Sequence, residues 1–162
     1  LQLMFGIATD VNAITEALSH PTTQDKVHHM RKVSFSDLMQ YLAIADVFVM
    51  PNIKVDGDAE GFGLVALEAS LRGAPVVAAG IEGITDAVID GDNGIQLPSG
   101  DALRWIETLN ALLMDEVRLK EMSQSAIDTT LKNYGWDKMV SGYLDVFEEI
   151  ISRHRSKIED SV

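Results

Sequence analysis

The chain has 162 residues, 46% hydrophobic and 23% charged, an ordinary globular composition at a length that buries roughly 70% of its unfolded surface without staples. Asp and Glu number 25 against 13 Lys and Arg, for a formal charge of −12, which repels phosphate backbones and anionic headgroups and argues against nucleic-acid or membrane-surface binding. The absence of cysteine excludes disulfides, thiolate nucleophiles and zinc–thiolate sites. No apolar run reaches the ~18 residues of a membrane span. The expectation is a soluble, acidic, cytoplasmic protein.

Along the chain, short apolar runs alternate with longer helical patterns, as in a parallel α/β sheet. The opening run Leu1–Ile7 has no basic region or cleavage site and reads as a strand already under way, as in a piece of a longer polypeptide; a processed N-terminus is the alternative. A helix near Asn12–Leu18 follows, then an extended piece around Lys26–Met30. Next comes a helix with Leu38, Tyr41, Leu42 and Ala45 at helical spacing, capped by Ser34 or Ser36. Asp46–Met50 is a buried strand ended by Pro51-Asn52, and Lys54–Gly63 is a polar loop. Leu64–Leu71 reads as a short helix with Gly73 placed to end it, and Pro75–Ala79 as a central strand. Asp90-Gly91-Asp92-Asn93-Gly94 is a turn before the strand Ile95–Leu97. Beyond Asp101 the pattern is helical: an apolar stripe of Leu103, Ile106, Leu109, Leu112 and Leu113, then helices over about Glu116–Lys132 and Asp137–Ile151. These elements predict one domain over 1–151, a doubly wound parallel sheet with a C-terminal helical tail. A polar segment, 152–162, follows it and is expected to fray.

Ligands of open parallel sheets bind beyond the carboxyl ends of the strands. After the strand ending at Met50, the loop through Glu60-Gly61-Phe62-Gly63 enters a helix. The unpartnered N–H groups and positive dipole end of such a helix favour an anion, most often phosphate. Position 66 is alanine, so the three-glycine dinucleotide fingerprint is absent and a redox dinucleotide is disfavoured. Glu68 sits in an otherwise apolar run on a helix expected to pack on the sheet. Its carboxylate is costly there unless it points into the cleft and meets hydroxyl donors, such as the vicinal pair of a ribose. The residues alone leave open the blander reading of Glu68 as a solvated helix residue and Glu60 as a loop charge.

The run Asp46–Asn52, then Glu60–Ala69, then Gly73–Ala78 resembles the C-terminal half of group 1 glycosyltransferases. Gly83–Val88, Asp90–Gly94 and Tyr134-Gly135-Trp136 continue the match. The resemblance implies a retaining, metal-independent hexosyltransferase of the GT-B type, in which two Rossmann-like domains enclose the active site. This chain would be the donor-binding half, lacking its first strand and the N-terminal domain that takes the acceptor glycan or lipid, and inactive in isolation. The donor would be a nucleotide-diphosphate sugar, UDP- or GDP-linked, with no cofactor. Glu60 and Glu68 match the family's paired glutamates. Glu60 would be the catalytic carboxylate, contacting the donor sugar together with Gly61 and the backbone of Phe62 and Gly63. The N–H groups of Leu64 and Val65 would face the diphosphate, and Glu68 would hold the ribose. The stretch Val27–Val33, with Met30, Arg31 and Val33, would face the base; His29 and Arg31 stand where the family has an aromatic and a glycine. A non-catalytic nucleotide or sugar-phosphate binding module on the same fold is the alternative.

Other candidates are set aside. His20, His28 and His29 lack the ligand geometry of a metal site, and Asp56 and Asp58 lack calcium-loop spacing. Trp105 and Trp136 are expected to pack rather than stack on sugar, Asp86 and Asp90 to serve as helix and turn residues, and Ser70 has no partners for nucleophilic chemistry.

Overall fold

A computed structural model describes residues 3–5, 11–30, 32–57 and 61–159. The chain divides into two compact units, Leu1–Gln40 and Tyr41–Val162. In the first, β1 (Leu3–Phe5) and β2 (Val27–His29) pair in parallel, Leu3 opposite Val27, and α1 (Val11–Ser19) makes the crossover that parallel strands require. Among its described residues, Ile14 and Val27 are the buried apolar ones. Helix α2 (Phe35–Ile44) begins in this unit and ends in the next. Its N-cap is Ser34, whose hydroxyl accepts from the Asp37 amide at 3.1 Å and donates to the Asp37 carboxylate at 2.8 Å.

The second unit is built on a three-stranded parallel sheet, order β3-β4-β5: Phe48–Met50, Val76–Ala79 and Gly94–Leu97. Between them run α3 (Leu64–Leu71) and the single turn α4 (Ile84–Ala87). Every residue of β4 is fully buried, so both faces of this central strand are covered, as doubly wound sheets require. Val77, Ala79 and Leu97 share a core with Trp105 and Leu112 of α5 (Ala102–Leu113), with Leu119 and Met122 of α6 (Glu116–Tyr134) packed against it. By alternation Val76 and Ala78 point to the other face. Helix α3 contacts β3 and β4 and buries Ala66, Leu67, Ala69 and Ser70. Asp101 and Asp115 cap α5 and α6 by accepting from the Arg104 and Arg118 amides, at 3.1 and 2.9 Å.

The parallel α/β architecture is as the sequence predicts, with shorter strands. The polar segment differs: α7 runs from Trp136 to Glu159, past the expected end near Ile151. Good helix formers and a Glu149–Arg153 ion pair one turn apart carry it through Ser152. Every described side chain of α7, Trp136 to His154, is exposed. No helix among the described residues is long and apolar enough to cross a membrane.

Candidate functional site

Because β3, β4 and β5 are parallel, Met50, Ala79 and Leu97 end at one edge of the sheet. The segments leaving that edge are tied together. The Ser99 hydroxyl donates to the Asn52 carbonyl at 2.8 Å, and the Gly80 amide to the Leu97 carbonyl at 2.9 Å. Gly83 lies so close to the loop before α3 that a Cβ there would stand 2.6 Å from the Gly61 carbonyl oxygen. The loops after β3 and β4 therefore meet backbone to backbone.

Gly63 is the N-cap of α3, at φ 76° and ψ 45°, with no side-chain cap. A left-handed N-cap turns the chain sharply into the helix and is a conformation glycine adopts without steric cost. The Ala66 amide bonds back to the Gly63 carbonyl at 2.8 Å, whereas the Leu64 and Val65 amides belong to the first turn, which has no intrahelical acceptors. Leu64 is 66% exposed, so this helix end opens to solvent. Glu68 is half-buried and lies one turn further along the face carrying Leu64 and Leu71, both exposed. The sheet takes the opposite face, the one carrying Ala66, Leu67, Ala69 and Ser70, so Glu68 points away from the core.

The structure thus gathers Gly61, Phe62, Gly63, Leu64, Val65 and Glu68 at one edge. Glu60, Arg31 and Asp58 lie outside the described residues. Met30, half-buried, and Val33, 37% exposed, belong to the first unit.

Three features escape sequence reasoning. The ring of Phe62, 40% exposed, meets Tyr134 edge to face, with centroids 5.9 Å apart. The Tyr134 hydroxyl donates to the Asp86 carbonyl at 2.5 Å; burial, and secondarily the Asp86 carboxylate, raise its pKa above 10.0. Among the described residues Glu82 is the non-glycine residue at positive φ, 47°, a strained conformation costing about 1–3 kcal/mol, and it directly precedes Gly83. Gly83–Val88 and Tyr134-Gly135-Trp136 stood out in the sequence only as stretches of family resemblance, with nothing to indicate these contacts.

The residues set aside fall as follows. Trp105 is buried and its indole N–H donates to the Pro98 carbonyl at 2.9 Å, so it packs as expected. Trp136 is 78% exposed and does not. The Asp90 carboxylate accepts from the Gln96 amide at 2.8 Å as a turn residue. Ser70 is fully buried, its hydroxyl without a partner among the described residues. No group of three or more His, Asp or Glu side chains among the described residues is arranged to hold a metal.

The model of the family described as "Glycosyl transferases group 1" matches residues 6–129. D-inositol 3-phosphate glycosyltransferase of Salinispora tropica is 34% identical over 136 residues, 84% of this chain and 27% of that protein. The chain thus spans about a quarter of that relative's length. Among solved structures, sucrose-phosphate synthase of Thermosynechococcus elongatus superposes with a TM-score of 0.74 at 21% identity, covering 94% of this chain and 39% of that one. Anabaena HepE, solved in complex with UDP, gives 0.71 at 21% identity, covering 94% and 41%; its UDP-glucose complex gives 0.68 at 20%, covering 93% and 41%. The fold is thus that of one half of GT-B glycosyltransferases, and by its family match the chain belongs to the group 1 glycosyl transferases.

Proposed function

We propose that residues 1–151 form the donor-binding domain of a retaining, metal-independent hexosyltransferase acting in glycan biosynthesis in the cytoplasm. The observation that carries the reading is the N-terminus of α3: Gly63 in the left-handed conformation with no side-chain cap, an exposed Leu64 at the first turn, and half-buried Glu68 one turn along the same face. A diphosphate at those amides is stabilised as its charge grows on leaving, because the donors are already oriented. Glu68 accepts hydrogen bonds from the ribose hydroxyls. Glu60, with the Gly61–Gly63 backbone, orients the sugar as the catalytic carboxylate; its role is positional rather than nucleophilic. Met30, Arg31 and Val33 face the base. The bond from the anomeric carbon to the diphosphate oxygen breaks as the acceptor oxygen bonds that carbon on the same face, and the acceptor proton passes to the departing phosphate. The UDP and UDP-glucose bound to the structurally similar HepE support a UDP- or GDP-sugar as donor. The acceptor, a glycan or lipid, would be held by the other half of the GT-B pair.

Titrating the isotope-labelled chain with UDP, GDP and ADP tests this. Amide shifts clustered over Gly61–Glu68 and Val27–Val33 for one nucleotide are the expected result and name the base. Saturating nucleotide without shifts there removes the site from these residues.

A further inference from the structure

We propose that Tyr134 is a positioning residue of the donor site: from the end of α6 it holds the Gly61–Gly63 loop in register with α4, and so sets how that loop meets the donor sugar. The proposal rests on the donor-site reading and adds a residue which that reading does not use. Phe62 is 40% exposed, so its own burial leaves the loop weakly anchored. The Tyr134 ring meets the Phe62 ring edge to face, at 5.9 Å between centroids and 65° between planes, within the range of a specific aromatic pair. At its other end Tyr134 donates to the Asp86 carbonyl at 2.5 Å. Asp86 belongs to α4, the turn whose leading Gly83 already abuts the Gly61 backbone. One side chain thus touches both walls of the contact between the loops after β3 and β4. Burial, and secondarily the Asp86 carboxylate, raise its pKa and so favour the protonated, donating phenol.

The geometry of the helix break fixes the clamp in place. Tyr134 is the last residue of α6, and Gly135 leaves the helix in an extended conformation, φ −69° and ψ 156°. A Cβ at 135 would stand 2.8 Å from the Leu131 carbonyl oxygen, so glycine determines where α6 stops and Tyr134 sits.

A tyrosine that merely packs α6 on α4 would affect stability alone. A positioning tyrosine affects the sugar-dependent part of donor affinity, because the nucleotide itself is held from α3. The test is to titrate the unaltered chain, Tyr134→Phe and Tyr134→Ala with UDP and UDP-glucose, and with GDP and GDP-mannose, following thermal melts in parallel. Expected are nucleotide affinities within about twofold throughout. The matching nucleotide-sugar should bind about threefold more weakly in Tyr134→Phe, which keeps the ring, and about tenfold more weakly in Tyr134→Ala. Nucleotide and nucleotide-sugar weakening in step, or neither weakening, overturns the proposal while leaving the donor site standing. No nucleotide binding by the unaltered chain overturns the donor site and this proposal together. Where Tyr134→Ala does not fold, a double-mutant cycle of Tyr134→Phe with Phe62→Leu decides: coupled losses of nucleotide-sugar affinity support the clamp, and additive losses overturn it.

Discussion

At position 63 a Cβ finds only ordinary neighbours, Ile84, Met50 and Ala87 at 3.8–3.9 Å, so space is not what demands glycine there. The backbone is, at φ 76°. Gly63→Ala is expected to lose about 1–2 kcal/mol in denaturant unfolding, and Gly63→Asn less, since asparagine tolerates the left-handed region. The neighbouring carboxylate makes a different prediction. Glu68 stands on the open face of α3, so Glu68→Ala should leave the unfolding midpoint near its starting value and weaken nucleotide binding roughly tenfold or more, the scale of hydrogen bonds to a charged group. Calorimetric titration beside a melt separates the two effects. Glu68 stood out in the sequence as a carboxylate inside an otherwise apolar helical run. That its face is the open one was not legible, since this depends on which side of α3 meets the sheet. The contacts of Tyr134, which the sequence marked only by family resemblance, were illegible for a related reason: its partners lie 48 and 72 residues away in the chain, and no local pattern marks a contact of that range.

Elements were easier to read than contacts. Helix α3 has the bounds its sequence predicts, Leu64–Leu71, because a polar glycine loop precedes it and Gly73, at φ 82°, follows it. The strands came out shorter, since parallel pairing ends where β3, β4 and β5 stop overlapping, a limit set by neighbours rather than by local composition. The turn before β5 was recognised from its Asp-Gly-Asp-Asn-Gly run, but its fastening lies in one buried side chain. Asn93, 1% exposed, accepts from the Ile89 amide at 2.6 Å and donates to the Ala87 carbonyl at 2.8 Å. Asn93→Ala strands both backbone groups and should cost about 2–3 kcal/mol by chemical denaturation, whereas Asp92→Ala, at an exposed position of the same turn, should cost little. The continuation of α7 to Glu159 went unread because the fading of its apolar stripe resembled the end of a helix.

For the whole molecule, protection against solvent is distributed very unevenly. β4 is fully buried, while α7 exposes every described side chain, including Tyr143, Phe147 and Ile150 at 55–60%. A helix supported by so little packing opens locally at low cost. In hydrogen–deuterium exchange of the 162-residue chain, α7 amides should exchange well before those of β4 and α3; protection of α7 equal to that of β4 would refute this. The sequence marked the 137–151 stretch as helical, but the exposure of its side chains emerges only once the other elements are in place.

Gly83 has φ −67° and ψ −12°, dihedrals open to any residue, and it carries no functional group. It is nonetheless confined to glycine by the Gly61 backbone 2.6 Å from where its Cβ would be. Substitutions at 83 therefore become acceptable only together with a change in the loop before α3, which makes the two positions epistatic. Across natural variants such a site would look as constrained as a chemically active one, and the constraint at 83 would be a record of the loop's shape rather than of any chemistry at 83 itself.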